Sequence, residues 1–428
     1  MVRTIQLSVI LTETFYVLLG IIVNTFCTLS LNINAIDYAK YYFGSVTNNL
    51  AFLPFVVEGI GYIVRPLSTI SITTVERLCG GMPRALELVT LINFISHVIL
   101  LSVPNYDISL LLGPIVLSMS QVISMYAKAF EHPNNTLQLL KRAKDYDVSV
   151  TLIGSALSSG PIIGVLLLLS LSIYFDNQFR KVLMMSCMLT GLLYVFRVLN
   201  RHINIFNRDN NEVEQGFTGI LRYLKSLCAK ASTQPFLLLS FVSMIFIFQA
   251  NAKTISGWWL DYCVRNDLLT KIDGKYLLMI ASVISVLLRN ILPTVGSNLF
   301  GARMSFYCSI LFDSITVPLL FYMSYQGHPL EGLILVNIPH SLSHGLLLTQ
   351  CQSIFKSLSQ IELATMWNAT SMISFVFLPL NSLVCYNLGG GIAPVCLMSL
   401  IGALLCILSL RLYIHYNDEV QSSIDSLQ

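Results

Sequence analysis

Runs of about twenty apolar residues recur along this chain at short intervals, and nothing else limits its folding so severely. A helix needs about 20 residues to cross the roughly 30 Å hydrocarbon core of a bilayer, and within that core every backbone N–H and C=O has to be bonded internally. Candidate spans lie near residues 8–30, 44–64, 85–103, 108–127, 148–174, 180–199, 234–255, 276–293, 304–324, 331–354, 363–386 and 391–414. The pattern predicts an all-α integral membrane protein of twelve transmembrane helices. Composition agrees, with 55% hydrophobic and only 11% charged residues, against about a quarter charged in soluble domains. The first run is too long for a signal-peptide core and has no small-residue cleavage site, so it is read as a span.

Lys and Arg are distributed unevenly, and in a membrane chain their placement matters more than the net charge of +3. About 18 of the 25 fall in the loops that share a side with the termini, and about six fall opposite. Both termini are therefore expected to be cytoplasmic. The longest polar stretch divides the chain into a first six-helix bundle (1–199), a central loop (200–233) and a second six-helix bundle with a short tail (234–428). Within that loop "GFTGILRYLKSLCAK" is amphipathic, and reads equally as a surface-lying helix or a solvated linker. The ten cysteines lack metal-binding spacing and read as small hydrophobes.

Ionisable groups inside spans carry the functional information, because each costs about 2.5–3.5 kcal/mol at a helix centre unless it has a partner or a cavity. The candidates are Glu13, Glu58, Lys253, Asp313, His97, His340 and His344. Glu58 and Asp313 are candidate proton carriers or, equally, structural acids. Lys253 follows Gln249 and Asn251 in "FQANAKTISGWW", where it either meets an anionic solute group or snorkels toward the two following tryptophans, read as interfacial. His340 and His344 share a helix face, a spacing open to a metal, but no third ligand follows by spacing and no metal is expected. No nucleophile elbow, paired-aspartate phosphate site or Walker loop is present, which speaks against an enzyme and against ATP as energy source. No cofactor or nucleic-acid partner is implied.

The stretch "RPLSTISITTVERLCGGMPRAL" (65–86) gathers Arg65, Pro66, Glu76, Arg77 and Arg84 in what reads as the turn after span two. With the preceding "FGSVTNNLAFLPFVVEGIGYIV" it resembles the signature loop of the major facilitator superfamily, and more narrowly its metabolite:proton symporter branch, which includes proline/betaine and dicarboxylate permeases. Arg65-Pro66-Leu67 and Glu76-Arg77 match, while Ser68 and Thr69 replace glycines. "SVPNYD" and "FEHPNN" are similar to the segments flanking that family's fourth span, and the match is best over roughly residues 40–165. "GSNLFGARMS", with Asn298 in place of an aspartate and Arg303 following, occupies the corresponding turn of the second half.

The resemblance implies two pseudo-symmetric halves that rock about a central site, with these charged turns as the gate, and a small polar solute (amino acid, betaine or organic acid) and protons as partners. It also implies roles for Glu13 and Tyr16, though Val17 stands where the family has an aspartate. Gln121 stands where the family has an arginine, which removes a fixed charge from span four. Two alternatives remain open. Gly160-Pro161-x-x-Gly164 is similar to a motif of drug:proton antiporters, and the departures from the family pattern also fit a transporter fold turned sensor or scaffold.

Overall fold

The computed structural model describes residues 2–33, 53–103, 112–132, 134–176, 178–201, 225, 228–230, 232–253, 259–356, 358–371 and 392–425. Among them there are helices and turns and no strand. In chain order the helices are α1 (Val2–Ile33), α2 (Leu53–Cys79), α3 (Met82–Ser102), α4 (Leu112–Glu131), α5 (Asn134–Asp145), α6 (Val150–Tyr174), α7 (Phe179–Leu199), α8 (Pro235–Lys253), α9 (Trp259–Arg265), α10 (Lys271–Phe300), α11 (Ala302–Tyr325), α12 (Pro329–Ile354), α13 (Gln360–Ser371) and α14 (Ile392–Asp425). Seven of these contain a stretch long and apolar enough to cross a membrane: α1, α3, α6, α7, α10, α11 and the Ser399–Asp418 part of α14. A described helix also overlaps each of the other five expected spans.

The structure differs from the expected boundaries where charge or proline was read as a stop. Residues 65–86 are not a long turn. The second helix runs on to Cys79, through Arg65 and Pro66, and the third begins at Met82. Arg65 stays buried in the helix with its guanidinium 5.3 Å from the Tyr62 ring centre, a cation–π contact. The turn proper is Gly80-Gly81. Gly80 adopts φ 74°, Gly81 N–H donates to the Glu76 carbonyl at 2.8 Å, and Gly80 N–H donates to that of Arg77 at 3.1 Å. This paired capping closes a helix on a left-handed residue, which glycine adopts without steric cost. The α10–α11 turn is closed by Gly301, at φ 78°, whose N–H donates to the Ser297 carbonyl at 3.1 Å.

Residues 134–145, between expected spans, form α5, an amphipathic helix whose Leu137, Leu139, Leu140 and Ala143 are buried. Lys275, expected in a loop, is buried in α10 and donates to Ser172 Oγ on α6 at 2.6 Å. Trp259, expected in the interfacial belt, is wholly buried and donates through Nε1 to Ser324 Oγ at 2.8 Å. Most of the "GFTGILRYLKSLCAK" segment lies outside the described residues.

Packing is close wherever residues are small. Helix α1 lies along α6, and a methyl built on Gly164 would sit 2.7 Å from the Ile22 carbonyl oxygen and 3.3 Å from the Phe26 nitrogen. Both obstacles are backbone and cannot rotate away. Gly164→Ala is therefore expected to destabilise the protein by about 1–3 kcal/mol, as overpacking does in a dense interior, read as a lowered thermal midpoint in detergent. Other neighbours are α2 with α4, α3 with α4 and α7, α6 with α10 and α12, α8 with α13 and α14, α10 with α12, α11 with α12 and α14, and α2 with α13.

Candidate functional site

Two buried polar clusters stand out in the bundle. The first joins α1, α3, α4 and α7. Arg197, at the end of α7 and 2% exposed, donates through Nη2 to Glu131 Oε1 at 2.6 Å. Its other nitrogen donates to the Leu86 carbonyl at 3.2 Å and to the Thr90 hydroxyl, while its guanidinium carbon lies 5.7 Å from the Tyr16 ring centre. Asn24 of α1 donates to Glu131 Oε2 at 2.8 Å, Asn93 donates to Asn24 at 3.4 Å, and Ser124 donates to Asn93 at 2.9 Å. The two charges are matched, and both are hydrogen-bonded, the condition under which a buried pair is tolerated, although Arg197 Nε has no hydrogen-bond partner among the described residues.

Three of the candidate residues surround this cluster. Tyr16 belongs to it. Glu13, one turn before Tyr16, is paired instead with Arg142 of α5, whose Nη1 lies 2.5 Å from Glu13 Oε1. Gln121 is buried and donates through Nε2 to the Thr28 carbonyl at 3.3 Å, while its Oε1 has no hydrogen-bond partner among the described residues. His97 is buried, its Nδ1 2.9 Å from the Asn93 carbonyl.

The second cluster brings together three residues singled out in the sequence. Asp313 of α11, 2% exposed, faces His340 of α12, whose Nδ1 lies 3.2 Å from Oδ2 and 3.3 Å from Oδ1. His344 sits one turn on, with ring centres 4.2 Å apart, and Phe248 of α8 meets it edge-on at 4.9 Å. Arg289 of α10, 5% exposed, lies within electrostatic reach of both Asp313 and His344. It donates through Nη1 to the Ser158 carbonyl of α6 at 2.6 Å, beside Asn290, which donates to Ser159 Oγ at 3.0 Å. A carboxylate, two imidazoles and a guanidinium are thus gathered in one part of the apolar interior, where ionisable groups are costly to keep.

Glu58, Gln249, Asn251 and Lys253 lie on α2 and α8, but their side chains are outside the described residues. Of the expected gate, Pro66 lies within α2 and Arg65 is buried there. Glu76 is half-buried, and Arg77, Arg84, Asn298 and Arg303 are exposed around the two glycine turns. At this end of the bundle, two links cross from the earlier helices to the later ones, and a third joins the stretch before α8 to α13. Asn368 of α13 donates to Thr69 Oγ1 of α2 at 2.6 Å, Gln352 of α12 donates to the Leu137 carbonyl of α5 at 3.1 Å, and Lys230 contacts Glu362 of α13 at 2.7 Å.

Glu362 lies just ahead of the expected span 363–386. Burial would raise the pKa of its carboxyl, but hydrogen bonds from Lys230 and Ser359 outweigh that and hold it below its ordinary value of 4.5. A group depressed in this way adds stability above its unfolded pKa, which is lost as pH falls through the folded one. The thermal midpoint should fall on acidification below about pH 4.5, and Glu362→Gln should remove part of that fall.

Sequence reasoning missed Glu131, Arg197 and Arg289, because a charge near the end of an apolar run reads as an ordinary loop charge.

No known family's sequence profile matches this chain, and no curated protein matches it. Its fold does match solved structures. A D-xylose–proton symporter superposes with a TM-score of 0.62 at 14% identity, over 92% of this chain and 96% of that one. A proton:xylose symporter of the major facilitator superfamily, bound to 6-bromo-6-deoxy-D-glucose, superposes with a TM-score of 0.62 at 13% identity, over 94% of each chain. At such identities the likeness is one of fold. The chain is an all-helical membrane protein with the fold of the major facilitator superfamily.

Proposed function

We propose that this protein is a secondary transporter, not an enzyme, that moves a small polar solute by alternating access and couples that movement to protons. The observation that carries the reading is the buried Asp313–His340 pair. Such a group is costly to keep in a membrane interior, and in transporters it serves proton or solute movement.

The working unit is read as twelve spans in two halves, 1–199 and 234–428, joined by 200–233, with both termini cytoplasmic. Helix packing supports the division into two related halves. The pairs α2·α4, α3·α4, α2·α3, α3·α7, α1·α7 and α1·α6 have counterparts in α10·α12, α11·α12, α10·α11, α11·α14, α8·α14 and α8·α13. The two seams between the halves, α6·α10 and α2·α13, are likewise counterparts of each other. Repeats related in this way place a solute site near mid-membrane, between them.

The solved structures it resembles are named as xylose–proton symporters, so a sugar joins amino acids, betaines and organic acids as a solute class. Gly160 and Gly164, which suggest an exporter, pack against Ile21, Ile22 and Phe26 of α1, a role that needs no export.

The test is uptake into proteoliposomes of a labelled panel (a pentose, a hexose, an amino acid, a betaine and a dicarboxylate), with and without an inward proton gradient. Accumulation of one class that collapses with the gradient is expected. Neither accumulation nor exchange of any panel member would favour the scaffold reading.

A further inference from the structure

Arg197 and Arg289 are both buried, and the fold treats them differently. Arg197 is matched by Glu131 at 2.6 Å, inside the first half of the bundle. Arg289, 5% exposed, forms no ion pair among the described residues. Asp313 is nearby, but its oxygens meet His340 at 3.2 and 3.3 Å, and no ion pair joins it to the guanidinium. A cation kept in a membrane interior without a carboxylate of its own is costly, and in transporters such groups face a partner or a cavity.

The contacts of Arg289 place it between the halves. Its Nη1 donates to the Ser158 carbonyl of α6 at 2.6 Å, and the adjacent Asn290 donates to Ser159 Oγ at 3.0 Å. Helix α12 closes on its other side at Gly345, where a methyl would lie 3.3 Å from the Arg289 carbonyl oxygen. Gly345 follows His344, whose Nε2 is buried with no hydrogen-bond partner among the described residues. On α6, Ser158 donates to the Ser155 carbonyl at 2.8 Å, and the Ser155 hydroxyl is buried and likewise without a partner. Arg289 Nε is in the same condition. Unmade hydrogen bonds from α6, α10 and α12 therefore gather around one guanidinium at the seam. Leaving such groups buried costs more than the bonds themselves would return, so a ligand that completes them is favoured.

The chemistry of that ligand follows from the donor. A guanidinium binds a carboxylate through two parallel hydrogen bonds, and with Nη1 held by Ser158 its Nε edge is left for this. One guanidinium balances one negative charge, which suits a monocarboxylate and leaves a phosphate group, at about −1.5 to −2, only partly matched. We infer that the solute carries a single carboxylate, bound at the α6–α10 seam by the Nε edge of Arg289, with His344 Nε2 and the Ser155 hydroxyl beside it for a second polar group. The inference rests on the transport reading only in treating the bound molecule as cargo. It narrows the solute to carboxylates and sets neutral sugars aside.

The test is binding to the purified full chain in detergent, read from the thermal midpoint as each probe is titrated. Each carboxylate is paired with a counterpart that lacks it: lactate with lactamide, alanine with alaninamide, D-xylonate with D-xylose, and D-gluconate with D-glucose. At least one carboxylate should raise the midpoint saturably and bind about tenfold or more tightly than its counterpart. Arg289→Gln should bring that pair to within about twofold of each other. Arg289→Lys, which keeps a cation, should retain part of the preference and serves if Arg289→Gln fails to fold. An arginine that only held the seam would lower the midpoint of the free protein and leave the ratio unchanged. The inference is overturned if the preference survives Arg289→Gln, if the counterparts bind as well as the carboxylates, or if no carboxylate binds. A carboxylate that binds through Arg289 but is neither accumulated nor exchanged by proteoliposomes would instead overturn the transport reading, so the two failures are separable.

Discussion

Replacing Arg197 with methionine is expected to destabilise the protein by about 3–5 kcal/mol, the cost of leaving a buried partner charge uncompensated. The partner is Glu131, 1% exposed, which would keep only the Asn24 hydrogen bond. Desolvation, not lost attraction, dominates this effect: an exposed ion pair is worth about 0–1 kcal/mol. Adding Glu131→Gln to Arg197→Met should therefore recover much of the loss, because the stranded charge is gone. Thermal unfolding of the purified protein in detergent, compared across the two single variants and the double, measures this. A double variant no more stable than Arg197→Met alone would show that the arginine's contacts with Leu86, Thr90 and Tyr16 matter more than its charge.

Asp313→Asn is expected to abolish gradient-driven accumulation while leaving solute exchange across the membrane. The substitution preserves shape and can still hydrogen-bond His340, but it cannot take up and release a proton. A carrier that cannot release its proton can still shuttle solute against solute, since both half-cycles then occur with the site in one charge state. Counterflow and proton-driven uptake, measured in the same proteoliposomes, separate the two activities. Loss of both would place Asp313 in solute binding or in folding, and retention of both would remove it from coupling.

The spans were legible because a bilayer demands long apolar runs, and hydropathy records them directly. Their ends were not, because Arg65 and Pro66 each resemble a stop. Arg65 nonetheless stays inside α2, with its guanidinium over the ring of Tyr62 one turn away. Helix α5 was invisible to hydropathy since only one of its faces is apolar and it is too short to cross.

The same contrast holds for the candidate site. Asp313, His340 and His344 could be picked out because an ionisable group in mid-span is anomalous by itself. Arg197 and Glu131 could not. Their pairing spans 66 positions, and each alone looks like a charge at a membrane boundary. Arg289 was hidden for the same reason, because the apolar run appears to stop near it while α10 goes on to Phe300.

Prolines lie inside α2, α6, α10, α11 and α12, while the turns after α2 and α10 are closed by glycine within one or two residues. Compliance is therefore built into the rods instead of the hinges between them. A change of shape in such a bundle would travel as flexure along each rod, and the tight corners would keep the rods' order and spacing while their middles yield.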